Sequence, residues 1–212
     1  MRALIVYCHP KEGSFNSAVR DTVIGRLEAA GVPYRLHDLY AEGFSAVLST
    51  DEWVGYEDCD TNRAPIAKYA DDIEWCDTLI FVYPTWWYGL PAVLKGWLDR
   101  VLLPGIAFEM PKADGENIKP ALHHIRRLGV FTTCGASRWL TMYIGAPGKR
   151  TLMRGVGLLL APRTRKVFAA HYLMDTAPRA SLTKHLARVA AKTDKLIAAG
   201  RSSEPTSKAV TT

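Results

Sequence analysis

Residues 78–102 read TLIFVYPTWWYGLPAVLKGWLDRVL. The opening TLIFVY is an almost unbroken apolar run of strand length that stops at Pro84, the pattern of a strand buried on both faces. After the aromatic stretch, Leu90, Val93, Leu94, Trp97, Leu98, Val101 and Leu102 fall on one face of a helix, which Pro104 and Gly105 end. A buried strand feeding an amphipathic helix is the repeating half of a parallel α/β sheet. The same alternation continues in both directions. Upstream, ALIVYC at residues 3–8 precedes a loop with Pro10, Gly13 and Ser14. A helical pattern follows on Val19, Val23, Leu27 and Ala30, with Ser14 or Asn16 as cap and Gly31 past its end. A second strand spans residues 34–39. Residues 40–62 show no sustained periodicity and carry Asp51, Glu52, Glu57, Asp58 and Asp60, an excursion longer than connections usually are, and a helix runs from near Arg63 to Trp75. Downstream, strands are expected at 127–133 and 165–170 and a last helix at about 179–199, with Leu182, Leu186, Val189, Leu196 and Ile197 inward. Right-handed crossovers between five parallel strands place helices on both sheet faces, a doubly wound fold. A single domain is expected over residues 1–200, with a Ser/Thr-containing flexible tail at 201–212.

Composition narrows the function. The 212 residues are 48% apolar and 23% charged, which excludes disordered and collagenous classes. A chain of this size buries about 70% of its unfolded surface, enough to need no disulfide or structural metal. The longest apolar stretch, 156–161, is far short of the ~20 residues of a membrane helix, so no stable membrane insertion is expected. The chain opens directly into strand-like sequence instead of a leader, which points to the cytoplasm. Cys8, Cys59, Cys76 and Cys134 form no C-x-x-C pair and are expected reduced, the first, third and fourth largely buried. Much of the formal charge of +6 is expected between Lys149 and Arg201, spread through a helix and its approach without a basic run interleaved with aromatics, so nucleic acid is not an expected partner, while anionic small molecules are favoured. His123 and His124 lack a third ligand at metal spacing, and no metal is expected.

Ligands of open parallel sheets sit at the carboxyl ends of the strands, where strand order reverses. Three loops end there. His9, Ser14, Phe15, Asn16 and Ser17 surround a helix start, suited to a phosphate or simply to a capped helix. Neither a P-loop nor G-x-G-x-x-G is present, which argues against an ATPase and a dedicated dinucleotide half. Pro84, Thr85, Trp86, Trp87 and Tyr88 put three large aromatics at a strand end. They suit a planar heteroaromatic ligand, with core or dimer contact as the competing use of at least one. Thr132, Thr133, Cys134 and Gly135 supply hydroxyls and backbone donors, either for the carbonyl edge of a ring or for a plain turn.

With these residues in view, the chain resembles the NAD(P)H:quinone oxidoreductase family of the flavodoxin-like fold. The resemblance rests on ALIVYCHPKEGSFNSA, on DLYAEGF at 38–44, on FVYPTWWYGLPAVLKGWLDRV at 81–101 and on TTCG at 132–135. It implies a five-stranded flavodoxin-like sheet and a flavin. His9, Ser14, Phe15, Asn16 and Ser17 would hold the flavin phosphates, the aromatic loop 84–88 its ring, and Thr132, Thr133, Cys134 and Gly135 its polar edge. FAD is the expected form, with FMN as the alternative, because the S-F-N loop and the 40–62 excursion resemble the FAD-using members. NAD(P)H would be the co-substrate and a quinone-like compound the acceptor, in a ping-pong sequence. A homodimer is implied, with Phe108 and Met110 as a substrate lip, the competing reading being filler under a loop. The alternative reading is a flavin-binding electron carrier or an ancillary subunit of another protein such as a transporter. The family's Tyr and His after T-T-G-G are missing here. Tyr143 and Arg138 are the candidates to take over proton or charge stabilisation, the competing reading being a packed Tyr and an exposed Arg. Cys134, where the family has Gly, is expected to be a small buried side chain rather than a nucleophile.

Overall fold

The computed structural model describes residues 1–113 and 115–201. Five parallel strands, β1 (Ala3–Tyr7), β2 (Tyr34–Asp38), β3 (Thr78–Thr85), β6 (Arg127–Cys134) and β7 (Arg165–His171), form one sheet in the order β2-β1-β3-β6-β7. The chain moves outward from β1 to β2, returns to β3 on the other side of β1 and continues outward. Strand order therefore reverses between β1 and β3, which opens a crevice above their carboxyl ends. Between β3 and β6 a two-stranded antiparallel ribbon pairs β4 (Phe108–Glu109) with β5 (Lys119–Pro120).

Period-2 alternation distributes the central strands to two cores. Leu4, Val6, Phe81, Leu128 and Val130 face α4 (Ala67–Trp75) and α5 (Ala92–Val101), together with Leu152, Val156 and Leu160 of the β6–β7 crossover. Ile5, Tyr7, Ile80, Val82 and Phe131 face α1 (Phe15–Ala29) and α9 (Arg179–Arg201), which add Val19, Val23, Leu27, Val189 and Leu196. Helices thus cover both faces, as the apolar runs required. Helix α9 continues through Arg201, where the tail was expected to begin; the rest of that tail lies outside the described residues. No helix among the described residues is long and apolar enough to cross a membrane.

The 40–62 excursion is more ordered than its lack of periodicity suggested. Ser49 and Glu52 form a reciprocal capping box that starts α2 (Thr50–Val54), and Asp58 caps α3 (Cys59–Arg63). Pro65 lies in a 3-10 turn, Ala64–Ile66, so the helix expected from Arg63 to Trp75 begins instead at Ala67. The excursion is clamped to α5. Arg100 pairs with Glu52 and donates to the Ser45 carbonyl at 2.6 Å, and Gly96 lets the Ala46 backbone approach so closely that a Cβ there would lie 2.2 Å from the Ala46 oxygen. The β6–β7 crossover comprises α6 (Arg138–Tyr143), α7 (Pro147–Arg150), a π-turn at Thr151–Val156 and α8 (Gly157–Leu159). Lys166 Nζ satisfies two of its free carbonyls, Met153 at 2.9 Å and Gly157 at 3.3 Å.

Candidate active site

The crevice is a cleft of about 810 Å³ built by the ends of four strands. From the first loop come His9, Phe15 and Asn16. The Ser14 hydroxyl caps α1 by accepting from the Ser17 N–H at 3.1 Å, and no acidic residue occupies the first turn, so the helix start stays electropositive. Ser14 and Ser17 thus shape the loop from beneath rather than lining the cleft. His9 Nδ1 lies 3.0 Å from the Lys11 carbonyl and 3.1 Å from the Lys11 N–H, so the backbone of the same loop pins the ring in place. Burial pushes the Cys8 thiol, below this loop, up to about 12, and it stays an inert core group.

The second wall is Pro84 to Tyr88. Trp87 and Tyr88 are both left-handed, at φ 48° and 62°, a conformation that costs bulky residues roughly 1 kcal/mol or more each. The surroundings hold this turn in place. The Gly89 N–H donates back to the Trp86 carbonyl at 2.9 Å, and the Gly148 N–H reaches the Tyr88 carbonyl at 3.4 Å. Such double strain at a cleft is the kind of backbone feature found where a ligand is gripped.

The third wall is Thr133, Cys134, Gly135 and Ala136. Asn16 Nδ2 donates to Thr133 Oγ1 at 2.9 Å, tying the first loop to the third across 117 residues, and the buried Asn16 Oδ1 has no partner in the protein. Thr132 sits one layer below, its hydroxyl 2.8 Å from that of Thr85, in a small neighbouring cavity with Tyr83 and Tyr172. Cys134 is buried, with its sulfur 3.5 Å from Thr141 Oγ1. Met174 and Asp175, which follow β7, close the cleft, and Asp175 Oδ2 would lie 2.6 Å from a Cβ on Gly135. Sequence reasoning passed over these two and Ala136. The carboxyl-end rule applied to β7, as it was to β1, β3 and β6, would have included Met174 and Asp175.

The remaining candidates lie apart from this cleft. Tyr143 is 78% exposed and stacks on Trp139 at 5.5 Å between centroids, 10° from parallel, because the Ser137 cap turns α6 away. Arg138 starts that helix, two residues beyond Ala136. Phe108 packs partly against the α4–α5 core and Met110 is surface-exposed; neither lines the cleft. Residues 40–62, the excursion that resembles the FAD-using members, pack on α5 and do not line the cleft either. Among the described residues no group of three or more His, Cys, Asp and Glu side chains could hold a metal ion, and His124 Nε2 instead lies 3.0 Å from the Ile73 carbonyl.

Residues 1–192 match the sequence model of the family described as flavodoxin-like fold. The chain belongs to this family. A ribosyldihydronicotinamide dehydrogenase (quinone) of Pongo abelii is 32% identical over 126 residues, which cover 52% of this chain and 54% of that protein. An uncharacterized NAD(P)H oxidoreductase of Haemophilus influenzae is 33% identical over 140 residues, 65% of this chain and 66% of that one. Among solved structures, Smu.1420 from Streptococcus mutans UA159 superposes with a TM-score of 0.79 at 28% identity, over 92% of this chain and 100% of the other. The chain spans about half the length of the first curated relative. This flavodoxin-like chain carries its cleft at the switch point that its strand order dictates.

Proposed function

We propose that this flavodoxin-like chain is a flavin-dependent NAD(P)H oxidoreductase that reduces quinone-like acceptors, with residues 1–200 as its flavin-binding domain. The observation that carries the reading is the joining of three features in one cleft: an acid-free helix start, an aromatic wall on a strained turn, and a row of donors opposite. The residues fit a flavin, FAD or FMN. The orphaned Asn16 Oδ1 is an acceptor awaiting a ligand donor, and Gly135 keeps the third wall free of side chain. The relatives named as NAD(P)H oxidoreductase and quinone-dependent dehydrogenase support the reaction class.

A bound flavin would supply two-electron hydride chemistry between NAD(P)H and the acceptor, the ping-pong sequence that this reading entails. The protein's part is geometric and electrostatic. Asn16 and the start of α1, its turn shaped by Ser14 and Ser17, would hold the phosphates, with the His9 ring beside them. Trp86, Trp87 and Tyr88 would flank the ring. The N–H groups of Gly135 and Ala136, just past the end of β6, would steady negative charge on its polar edge, the fixed-dipole role of an oxyanion hole. Arg138, two residues beyond Ala136 and outside the cleft lining, would attract the anionic phosphates of the nicotinamide co-substrate. Exposed Trp87, Trp139 and Tyr143 are proposed to be covered by a second copy of the chain, which would complete the mouth and place Phe108 and Met110 as a substrate lip.

The decisive experiment is the absorbance spectrum of gently purified protein, followed by anaerobic titration with NADH and NADPH and chromatography of the released chromophore. Flavin bands that bleach with a nicotinamide and return with a soluble quinone are expected, and the chromatography assigns FAD or FMN. A bound flavin that neither nicotinamide bleaches would replace the enzyme by an electron carrier or ancillary subunit. Failure to bind flavin would overturn the assignment of all three loops.

A further inference from the structure

The chain's positive charge is segregated. From Asn117 to Met174 there is no Asp or Glu, while Lys119, Arg126, Arg127, Arg138, Lys149, Arg150, Arg154, Arg163, Arg165 and Lys166 contribute ten cations; the rest of the chain holds 17 Lys+Arg against 21 Asp+Glu. The excess of +6 therefore comes entirely from this one stretch. Part of it converges at the amino ends of β6 and β7, the end of the sheet opposite the cleft. There His123, Arg126, Arg163 and Thr164 line a second basin, of about 400 Å³, completed by Ala161 and Pro162.

This basin is a built feature. Two turns are laced by backbone bonds: Ala161 N–H to the Ile125 carbonyl at 3.1 Å, Thr164 N–H to the Ala161 carbonyl at 3.0 Å, and Arg165 N–H to the Arg126 carbonyl at 2.9 Å. Arg163 is held left-handed at φ 68°, a conformation an arginine adopts only when its surroundings impose it. None of His123, Arg126 and Arg163 has a carboxylate partner among the described residues. The nearby acids are already engaged, Asp77 with Arg127 and the N-terminal amine, Glu74 and Asp71 with Arg63. Two guanidinium groups gathered around one concavity without a counter-charge repel each other and raise the local potential, a cost that an anion removes, and the His123 ring adds a hydrogen-bonding group beside them. Guanidinium forks match the tetrahedral oxygens of phosphate in particular.

We propose that this basin is a second ligand site, distinct from the cleft, for a phosphate-bearing anion held by Arg126, Arg163 and His123. The shared chemistry is a phosphate group, supplied either by a small soluble phosphate compound or by the headgroup of an anionic lipid. Because the basin shares no residue with the cleft, the proposal does not rest on the flavin reading.

The test is isothermal titration of the full chain with inorganic pyrophosphate at low ionic strength, alongside co-sedimentation with phosphatidylglycerol vesicles. Both are repeated on an Arg126→Gln/Arg163→Asn variant, in which Asn tolerates the left-handed backbone, and on Trp86→Ala as a cleft control. Saturable pyrophosphate binding that weakens tenfold or more in the double variant, and is unchanged in Trp86→Ala, is the expected result and names a soluble ligand. Vesicle binding lost in the double variant without saturable pyrophosphate binding would support the site with a lipid headgroup as its ligand. Equal binding by the double variant and the parent, loss of binding in Trp86→Ala alone, or no binding of either probe would overturn it. Equal melting temperatures of parent and double variant establish that the comparison reads the site and not the fold.

Discussion

Asn16 concentrates the site's dependence on single contacts. It spends its amide donor on Thr133 and leaves its carbonyl oxygen buried and without a protein partner, so one side chain joins two loops at the cleft. Replacing it by Ala strands the Thr133 hydroxyl as well, and Asn16→Ala is expected to lower stability by about 1–2 kcal/mol. The loss of a ligand contact and of loop alignment is expected to weaken flavin binding about tenfold, read by fluorescence titration. Arg138 and Tyr143 separate by position. Arg138→Gln is expected to raise the KM for NADPH severalfold with kcat unchanged, whereas Tyr143→Phe leaves both constants at parental values in steady-state assays. A fall in kcat for Tyr143→Phe would show that the assembled protein returns this tyrosine to the reacting atoms. The aromatic triplet 86–88 and the T-T-C-G row stood out as residue types at a strand end. That Ser14 and Ser17 serve the helix cap while Asn16 reaches across to Thr133 was not legible, because side-chain partners 117 residues apart are set by strand order.

At the scale of elements, α5 and the 40–62 excursion behave as one unit, joined through the Gly96–Ala46 backbone contact and the Arg100–Glu52 pair. Backbone has no flexible end to move aside, so Gly96→Ala is expected to destabilise by about 3 kcal/mol, visible as a fall in the denaturant midpoint. The junction of β7, α9 and α1 makes a pH prediction. His171 and His185 meet at 5.2 Å between ring centroids beside Phe15, with Ser181 Oγ 3.0 Å from His171 Nε2 and the Arg188 cation close by. Burial, with Arg188 reinforcing it, holds His171 below its usual value; burial, with His171 and Arg188, takes His185 down to about 4. His185 stays neutral in the folded protein until about 4 and burial disfavours the charged form of His171, while the unfolded chain takes up protons below 6.5. Stability is therefore unaffected by this pair above pH 6.5 and falls as pH drops from 6.5 toward 4, by about 2–3 kcal/mol for His185. In urea titrations across that range, His185→Leu is expected to flatten the slope, and an unchanged slope would assign the acid sensitivity elsewhere.

For the whole molecule, the two ends of the sheet differ in character. The carboxyl end carries the cleft and a rim of exposed aromatics, with Trp87 94% and Trp139 73% exposed, while the amino end gathers Arg126 and Arg163, which have no carboxylate partner among the described residues. Aromatic exposure of that extent predicts self-association. Sedimentation is expected to give twice the chain mass of 23.5 kDa, and Trp139→Asp/Tyr143→Asp is expected to shift the protein to monomer, whereas a parent chain that sediments as monomer would remove the dimer. Sequence by itself determined the five strands, their helices and the site-bearing loops, because unbroken apolar runs and 3.6-residue periodicity are local signals of burial. It left the short helices α2 and α3 unread, since their caps act over only three or four residues and no periodicity accumulates in one turn. Only the tertiary structure decided that Asp175 and Met174 close the cleft, that Phe108, Met110 and Tyr143 stand outside it, and that Arg126 and Arg163 share a basin. Those relations join residues far apart in the chain, and their distances follow from strand order and crossover geometry, which local sequence does not encode.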